Sequence, residues 1–252
     1  MDQDKFTGGY FKLLAQKLLP YGYEKDALIA GIWHGTAAMV KNDGSCSNEE
    51  AFWKDFVHSF GEKALEDRPL FEEFYAKDFE QSRGFCGYTP KAAGVVELLR
   101  EKGRRVVLAT NPIFPTAATE SRIRWAGLRP EDFELYTTYE SIGFCKPNLD
   151  YYRELLRRLD LQAGDCLMVG NDVEEDMVAS QLGMSVFLLT DCMINRRAQD
   201  ISAFPHGNFD DLTGYLLKEL NGELLQMKRA GLQSKPALFA SGAPQRKTEV
   251  KK

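Results

Sequence analysis

The sequence contains no long apolar run, because no stretch approaches the ~20 residues that a membrane-spanning helix needs. Its first residues, Met-Asp-Gln-Asp-Lys-Phe, lack the charged and apolar regions of a signal peptide. There is also no surplus of positive charge, and a net charge of -5 gives no electrostatic reason to expect nucleic acid or an acidic membrane as a partner. We therefore expect a cytoplasmic protein that binds neither nucleic acid nor membranes.

Cysteine is scarce and irregularly placed. The five cysteines are Cys46, Cys86, Cys145, Cys166 and Cys192, and none of them forms a Cys-x-x-Cys pair. An odd number without that spacing argues against a disulfide framework and against a zinc site. It favours a reducing compartment, in agreement with the expected cytoplasmic location.

The first third of the chain is predicted to be helical. At 252 residues the chain suits one domain with an insert, or two small domains. Apolar residues recur at helical spacing over residues 6–18, 27–40, 49–60 and 69–79, and many of them are aromatic. Such aromatics form a packed core more often than a ligand site, so we interpret residues 1–85 as a small helical bundle.

From residue 86 onwards, short apolar strands alternate with helices. Strands are predicted at 105–110, 133–138, 166–169 and 185–190, and helices at 90–102, 116–126, 148–159 and 210–220. This alternation is typical of an α/β fold with a doubly wound, mostly parallel sheet, which we assign to residues 86–220. Residues 221–252 are rich in Gln, Lys, Ser, Pro and Gly and are predicted to be a disordered tail.

The most informative stretch covers residues 166–177. Its apolar start is long enough for a buried strand, and Gly170-Asn171 then turns the chain. Asp172 and Asp176, four residues apart, would follow in the first turn of a helix. Acids at the carboxyl end of a buried strand lie where open α/β sheets bind ligands, and two crowded carboxylates repel unless a cation lies between them. The alternative is that both acids only cap the helix.

Two further segments carry polar side chains at the ends of predicted elements. Thr110-Asn111 follows a predicted strand and offers a hydroxyl and an amide that can donate to phosphate oxygens. Lys146 precedes Pro147 at the start of a predicted helix and supplies a point charge. A cation beside paired acids and hydroxyl donors suits phosphoryl transfer, because positioning and charge neutralisation do most of that catalysis.

The order of these segments resembles motifs II, III and IV of the haloacid dehalogenase (HAD) superfamily. The motifs are a strand followed by Thr-Asn, then Lys-Pro, then a strand followed by Gly-Asn-Asp-x-x-x-Asp. Three ordered motifs on the expected elements are more specific than any one of them. The preceding helical bundle resembles the cap domain of the phosphatase-like members, so the resemblance implies a Rossmann-like sheet with an α-helical cap.

The resemblance implies a role for each of these residues. Thr110 and Asn111 would bind the phosphoryl oxygens, and Lys146 would neutralise the phosphate and the nucleophile. Asp172 would be a ligand of Mg²⁺, and Asp176 would orient Lys146 or a metal-bound water. Some members carry the metal acid directly after the glycine, where this chain has an asparagine, but the spacing of four residues between the acids favours Asp172.

The first motif of the family has no match in this chain. In the family it is a central strand ending in Asp-x-Asp-Gly-Thr, which supplies the nucleophile and the general acid/base and lies before the cap. A Gly-Thr pair in the second predicted helix matches only the ending, and the Asp-Gln-Asp at residues 2–4 has no strand before it. Without this central strand its two neighbours would have unpaired backbone groups, each costing ~1–3 kcal/mol when buried. We therefore expect that Met1 is an internal methionine, that the missing strand lies upstream, and that residues 1–252 alone are inactive.

The sequence thus predicts a HAD-like, Mg²⁺-dependent phosphohydrolase that acts on a small phosphate monoester through an aspartyl-phosphate. An alternative from another class is a catalytically dead relative that keeps the phosphate and metal sites and only binds. A dehalogenase is disfavoured by Thr110-Asn111, Lys146 and the metal acids. An unrelated nucleotide-binding α/β domain is disfavoured because no Gly-rich phosphate loop follows any strand.

Overall fold

The computed structural model describes residues 3–230 and 237–240, with side chains over residues 4–222. The first part is a layer of helices: α1 (Gln3–Leu18), α2 (Lys25–Val40), α3 (Asn48–Phe60), α4 (Lys63–Glu66) and α5 (Arg68–Lys77), followed by a 3-10 helix at Asp78–Phe85. Within these described ranges, no helix is both long enough and apolar enough to cross a membrane.

Aromatic side chains fill the interior of this helical layer. Phe56, Phe74 and Phe79 are fully buried, and the ring centres of Phe56 and Phe52 lie 5.4 Å apart. Burying one such ring contributes roughly 1.5–3 kcal/mol, so the cluster is a major source of stability. Phe79 also stacks on Trp125 at 5.2 Å, which joins the helical layer to the rest of the molecule.

The rest of the described chain alternates strands and helices. Its elements are α6 (Lys91–Glu101), β1 (Arg105–Leu108), α7 (Thr116–Trp125), β2 (Leu135–Tyr136), α8 (Leu149–Leu159), β3 (Cys166–Gly170), β4 (Ser185–Leu189), β5 (His206–Gly207), α9 (Phe209–Ala230) and β6 (Ala237–Ala240). These strands form one parallel sheet in the order β2-β1-β6-β3-β4-β5. Alternate side chains face opposite sides, since Val107 packs in a cluster with α8, and Val106 in a cluster with α6 and α9. The arrangement confirms the predicted doubly wound α/β fold.

The central position of the sheet is occupied, which corrects the expectation that the central strand is absent. β6 lies between β1 and β3 and pairs with both in parallel register, so that Ala240 is opposite Leu108 on one side and Val169 on the other. The physical reason is that buried backbone N–H and C=O groups need partners, and β6 supplies them to both neighbours. The sequence places the expected strand ahead of the helical layer, whereas the segment that pairs with β1 and β3 follows α9.

The prediction of a disordered tail over residues 221–252 is wrong for the part that the structure describes. α9 continues to Ala230, beyond the predicted helix end at Leu220, and β6 follows at Ala237–Ala240. Residues 223–230, Glu-Leu-Leu-Gln-Met-Lys-Arg-Ala, are all good helix formers, and this intrinsic preference outweighs the polar composition. Residues 231–236 and 241–252 lie outside the described residues.

The segment after β3 differs from the predicted α-helix. Residues 173–176 form turns, and a 3-10 helix follows at Met177–Leu182. The reason is that the Asp176 carboxylate accepts hydrogen bonds from the backbone N–H groups of Asn171 and Asp172, which closes a tight loop. The two acids therefore lie at the ends of a turn, and not in the first turn of a regular helix.

Asp132, in the turn before β2, gives the first prediction. Burial raises the pKa of Asp132, but hydrogen bonds from the Arg129 backbone and from the guanidinium groups of Arg129 and Arg100 outweigh it and hold this pKa below its usual value. Folding lowers the pKa of Asp132, so its carboxylate stabilises the fold at pH values above its unfolded-state pKa of about 4. This stabilisation is lost as the pH falls through the folded-state pKa. We expect Asp132→Asn to lower the free energy of unfolding by ~1–3 kcal/mol at pH 7.

Urea unfolding at a series of pH values measures this effect. The difference in the free energy of unfolding between the wild type and Asp132→Asn should become smaller as the pH is lowered from about 7 to about 3. The exposed Asp150→Asn serves as the control, because its carboxylate pairs only with Arg153 at the surface. If the loss of unfolding free energy in Asp132→Asn did not change with pH, the ionised Asp132 carboxylate would not be the source of the stabilisation.

Candidate active site

The five predicted site residues lie together at one edge of the sheet. Thr110 and Asn111 follow β1, and Asp172 and Asp176 follow β3, so both pairs lie beyond the carboxyl ends of parallel strands. Lys146 comes from the loop before α8, where its peptide bond to the following proline is cis. All five side chains line one cavity. This edge is where open α/β sheets bind their ligands.

Lys146 and Asp176 form a buried ion pair. Lys146 Nζ donates to Asp176 Oδ1 at 2.6 Å, and the two side chains are only 1% and 3% exposed. The ring centres of Tyr151 and Tyr152 lie 5.7 Å and 5.9 Å from the ammonium nitrogen. Aromatic faces attract a desolvated cation, so these three groups hold the lysine in one position.

The second carboxylate oxygen of Asp176 organises the loop after β3. Asp176 Oδ2 accepts from the backbone N–H of Asn171 at 2.9 Å and from that of Asp172 at 3.0 Å. The same carboxylate lies so close to Gly170 that a Cβ at this position would overlap it. Only glycine allows this approach, which explains the glycine at the end of the strand.

Gly170→Ala is therefore expected to be strongly destabilising. The added methyl group would displace the Asp176 carboxylate from its two backbone donors, and overpacking of this kind typically costs ~1–3 kcal/mol. The free energy of unfolding in urea measures the loss. Gly164→Ala is the matched control, because a Cβ at Gly164 would meet open space. Equal stability of the two variants would refute the close approach.

Thr110 and Asn111 differ in how free they are to bind a ligand. The Thr110 hydroxyl donates to the backbone carbonyl of Thr137 at 2.9 Å, so it must turn away from Thr137 to donate elsewhere. Asn111 Oδ1 accepts from the backbone N–H of Lys146 at 3.2 Å. Its Nδ2 group donates to no acceptor among the described residues. The Asn111 amide is thus the donor most readily available in the cavity.

Asp172, the predicted metal ligand, is 5% exposed and already has partners on both oxygens. Its Oδ1 accepts from the backbone N–H groups of Glu174 and Glu175 at 2.9 Å and 3.0 Å, and its Oδ2 accepts from the Arg196 guanidinium at 3.0 Å. The described residues contain no cluster of three or more His, Cys, Asp or Glu suited to a metal. Mg²⁺ is often bound by one carboxylate together with waters and a substrate phosphate, and Asp172 fits that form if Arg196 releases Oδ2.

Glu175 is a site residue that the sequence analysis missed. Burial, and after it the Asp172 carboxylate, raises the pKa of Glu175 to about 7, although Lys146 acts in the opposite direction. Glu175 lines the cavity, and carboxyl groups perturbed in this way cluster at functional sites. The spacing of residues in the sequence gave no signal for Glu175. The direction of its side chain depends on the turn at residues 173–176, which takes the place of the predicted helix.

The cavity has a volume of about 1160 Å³ and is lined mainly by apolar groups. The helical layer contributes a set of aromatic side chains that includes Phe6, Tyr10, Phe11, Trp33, Phe52 and Trp53. A concave, largely apolar site with a few convergent polar groups is typical of small-molecule binding. Arg122 and Arg196 also line it, and the sequence gave no signal for either because both lie outside the three motifs.

The chain is similar in sequence to a known protein family and to a known phosphatase. The family model described as haloacid dehalogenase-like hydrolase matches residues 37–182, which is more than half of the chain. The chain is 31% identical over 101 residues to the glyceraldehyde 3-phosphate phosphatase of Methanothermobacter thermautotrophicus. That match covers 40% of this chain and 43% of the relative, so the chain spans less than half the length of the curated relative it matches.

Solved structures share the fold. A 2-haloacid dehalogenase from Pseudomonas syringae pv. Tomato superposes with a TM-score of 0.56 and 18% identity, covering 85% of this chain and 91% of that chain. A HAD phosphatase from Thermococcus onnurineus superposes with a TM-score of 0.50 and 16% identity, covering 84% of this chain and 91% of that chain. At these identities the likeness concerns the fold alone.

Proposed function

Because the chain belongs to the haloacid dehalogenase-like hydrolase family, we propose that its site is that of a Mg²⁺-dependent phosphohydrolase for a small phosphate monoester. The observation that carries the proposal is the buried Lys146–Asp176 pair beside Asp172. A fixed cation next to an acid that can hold a divalent metal is suited to neutralising a phosphoryl group. The phosphatase among the relatives supports the same chemistry.

Each side chain has a distinct task in this proposal. Lys146 neutralises the phosphate oxygens, and the Asn111 amide donates a hydrogen bond to them, joined by the Thr110 hydroxyl when it turns from its present acceptor. Asp176 positions Lys146, because one of its oxygens binds Nζ and the other is held by the backbone. Asp172 would hold Mg²⁺, which supplies further positive charge at the phosphate when bound.

An aspartyl-phosphate mechanism also needs a nucleophilic carboxylate at the end of the central strand. β6 holds the central position and ends at Ala240, and its sequence Ala-Leu-Phe-Ala contains no acid. We therefore propose that residues 1–252 bind a phosphate monoester without turning it over, and that hydrolysis requires a central strand ending in Asp-x-Asp-Gly-Thr. The lack of an acid in β6 also favours a second candidate, a protein that only binds phosphate and metal.

Two measurements distinguish these candidates. Inorganic phosphate is titrated calorimetrically, with Mg²⁺ present, into residues 1–252 and into an extended form. The extended form carries an Asp-x-Asp-Gly-Thr strand ahead of residue 1 and lacks residues 231–252, so that the added strand can take the central position of β6. Phosphate release from a panel of small phosphate monoesters is then measured for both. We expect both forms to bind inorganic phosphate, and only the extended form to release phosphate from the monoesters. Binding without release by either form would favour the binding-only protein, and no binding by either would refute the proposed site.

The Arg196–Asp172 pair gives a prediction about the metal. The guanidinium occupies Asp172 Oδ2, so Arg196→Ala should strengthen Mg²⁺ binding about three- to tenfold, and Asp172→Asn should remove it. Titration with MgCl₂ in the absence of substrate measures both effects. Arg197→Ala is the matched control, because this exposed neighbour pairs with Glu174 instead. Equal Mg²⁺ affinities for the two arginine variants would refute the competition.

A further inference from the structure

Arg122 is a charged side chain of the cavity that the proposed chemistry does not use. It lies on α7 and lines the cavity, with its guanidinium carbon 5.5 Å from the ring centre of Phe114 and 5.8 Å from that of Phe6. Two aromatic faces thus hold the planar guanidinium in one place. A guanidinium held in this way is ready to bind a planar or tetrahedral anion through two N–H groups.

Arg122 differs from the other cations of the cavity in having no acidic partner among the side chains of residues 4–222. The other three are Lys146, paired with Asp176; Arg68, paired with Glu49 and Glu72; and Arg196, paired with Asp172. Arg122 forms no hydrogen bond and no ion pair with the side chains that the structure describes. The nearby Cys86 adds no counter-charge, because burial raises the pKa of its thiol.

Two acids that line the same cavity, Glu120 and Glu140, are engaged elsewhere. Glu120 accepts from the Tyr136 hydroxyl at 2.8 Å, and Glu140 accepts from the backbone N–H of Thr116 at 2.9 Å. Burial lowers the pKa of Arg122, yet a guanidinium remains protonated at every physiological pH. A partly buried positive charge without a partner is costly, and a ligand anion would remove that cost.

Arg122 and Lys146 line the cavity from different elements of the fold. Arg122 lies on α7, six residues beyond its first residue Thr116, whereas Lys146 lies in the loop before α8. We propose that Arg122 binds a second anionic group of the substrate, so that the substrate is a phosphate monoester that also carries a carboxylate or a second phosphate. This inference rests on the proposed phosphate site at Lys146 and names the substrate class of that site.

The test compares esters that differ only at the end remote from the phosphate. Glucitol 6-phosphate ends in an alcohol, 6-phosphogluconate in a carboxylate, and glucitol 1,6-bisphosphate in a second phosphate. Each is titrated into the full chain with Mg²⁺ present, and quenching of Trp33 and Trp53, which line the cavity, reports binding. We expect at least one of the two esters with an anionic remote end to bind about tenfold or more tightly than glucitol 6-phosphate, and the stronger of them identifies the second anion.

Variants assign that preference to Arg122. Arg122→Met keeps the apolar stem and should abolish the preference, and Arg122→Lys, which keeps the charge between the rings, should retain part of it. Arg124→Met is the matched control on the same helix, since its side chain is 53% exposed and pairs with Glu120, and it should retain the full preference. Equal binding of the three esters by the wild type, or a preference that survives in Arg122→Met, would overturn the inference. Inorganic phosphate titrated into the wild type separates this failure from failure of the phosphate site itself.

Discussion

Replacing Lys146 by methionine should lower the free energy of unfolding by ~3–5 kcal/mol and remove phosphate binding. The substitution leaves the Asp176 carboxylate buried without its cationic partner, and an uncompensated buried charge is among the most costly defects in a protein. The two backbone N–H groups that bind Asp176 Oδ2 would remain, but neither carries a full positive charge. Urea unfolding of the variant and of the wild type at pH 7 measures the difference.

Two further variants separate the buried charge from a general effect of the substitution. Lys146→Met combined with Asp176→Asn should recover part of the loss, because no charge then remains unpaired. Arg153→Met breaks the Arg153–Asp150 pair, whose side chains are 57% and 51% exposed, and should cost less than ~1 kcal/mol. A loss in Lys146→Met no greater than that in Arg153→Met would show that the buried pair does not stabilise the fold.

Removing β6 should be at least as damaging as breaking the ion pair. A chain that ends at Ala230 would leave the inner edges of β1 and β3 without partners over four paired positions on each side. Unsatisfied buried backbone groups cost ~1–3 kcal/mol each, so the total approaches the ~5–15 kcal/mol that stabilises a typical domain. We expect the shortened chain to be largely unfolded, as judged by near-ultraviolet circular dichroism and urea unfolding.

A second truncation locates the effect in β6. A chain that ends at Ala240 keeps the strand and lacks only residues 241–252, and it should unfold near the urea midpoint of the full chain. A third variant, Phe239→Pro, keeps the length but removes one N–H from the middle of the strand, and it should be strongly destabilised. Native stability of the chain ending at Ala230 would show that β6 is not needed in the sheet.

The arrangement of Lys146, Asp172 and Asp176 was predictable because it follows from local patterns and one topological rule. Apolar runs locate the strands, the residues just after them lie at their carboxyl ends, and parallel strands bring those ends to one edge of the sheet. The structure places the Lys146 ammonium on one oxygen of the Asp176 carboxylate and the backbone N–H of Asp172 on the other. Their roles in binding phosphate and metal remain predictions.

Other features depend on contacts that periodicity does not encode. Arg196 reaches Asp172 from a loop 24 residues away. Arg122 stands out only because no acid among the described residues pairs with it, although several acids line the same cavity. β6 was missed because a short apolar stretch in a polar segment carries little strand signal, and its place depends on the unpaired edges of β1 and β3. The turn after β3 was missed because the Asp176 side chain competes with the backbone for the first N–H groups.

A crystal structure of residues 1–252 grown with MgCl₂ and inorganic phosphate would test the phosphate site most directly. We expect phosphate oxygens within hydrogen-bonding distance of Lys146 Nζ and Asn111 Nδ2, and Mg²⁺ bound to Asp172 Oδ2 with Arg196 displaced. Phosphate bound outside the cavity, with the Arg196–Asp172 pair intact and no ligand near Lys146, would contradict the proposed function.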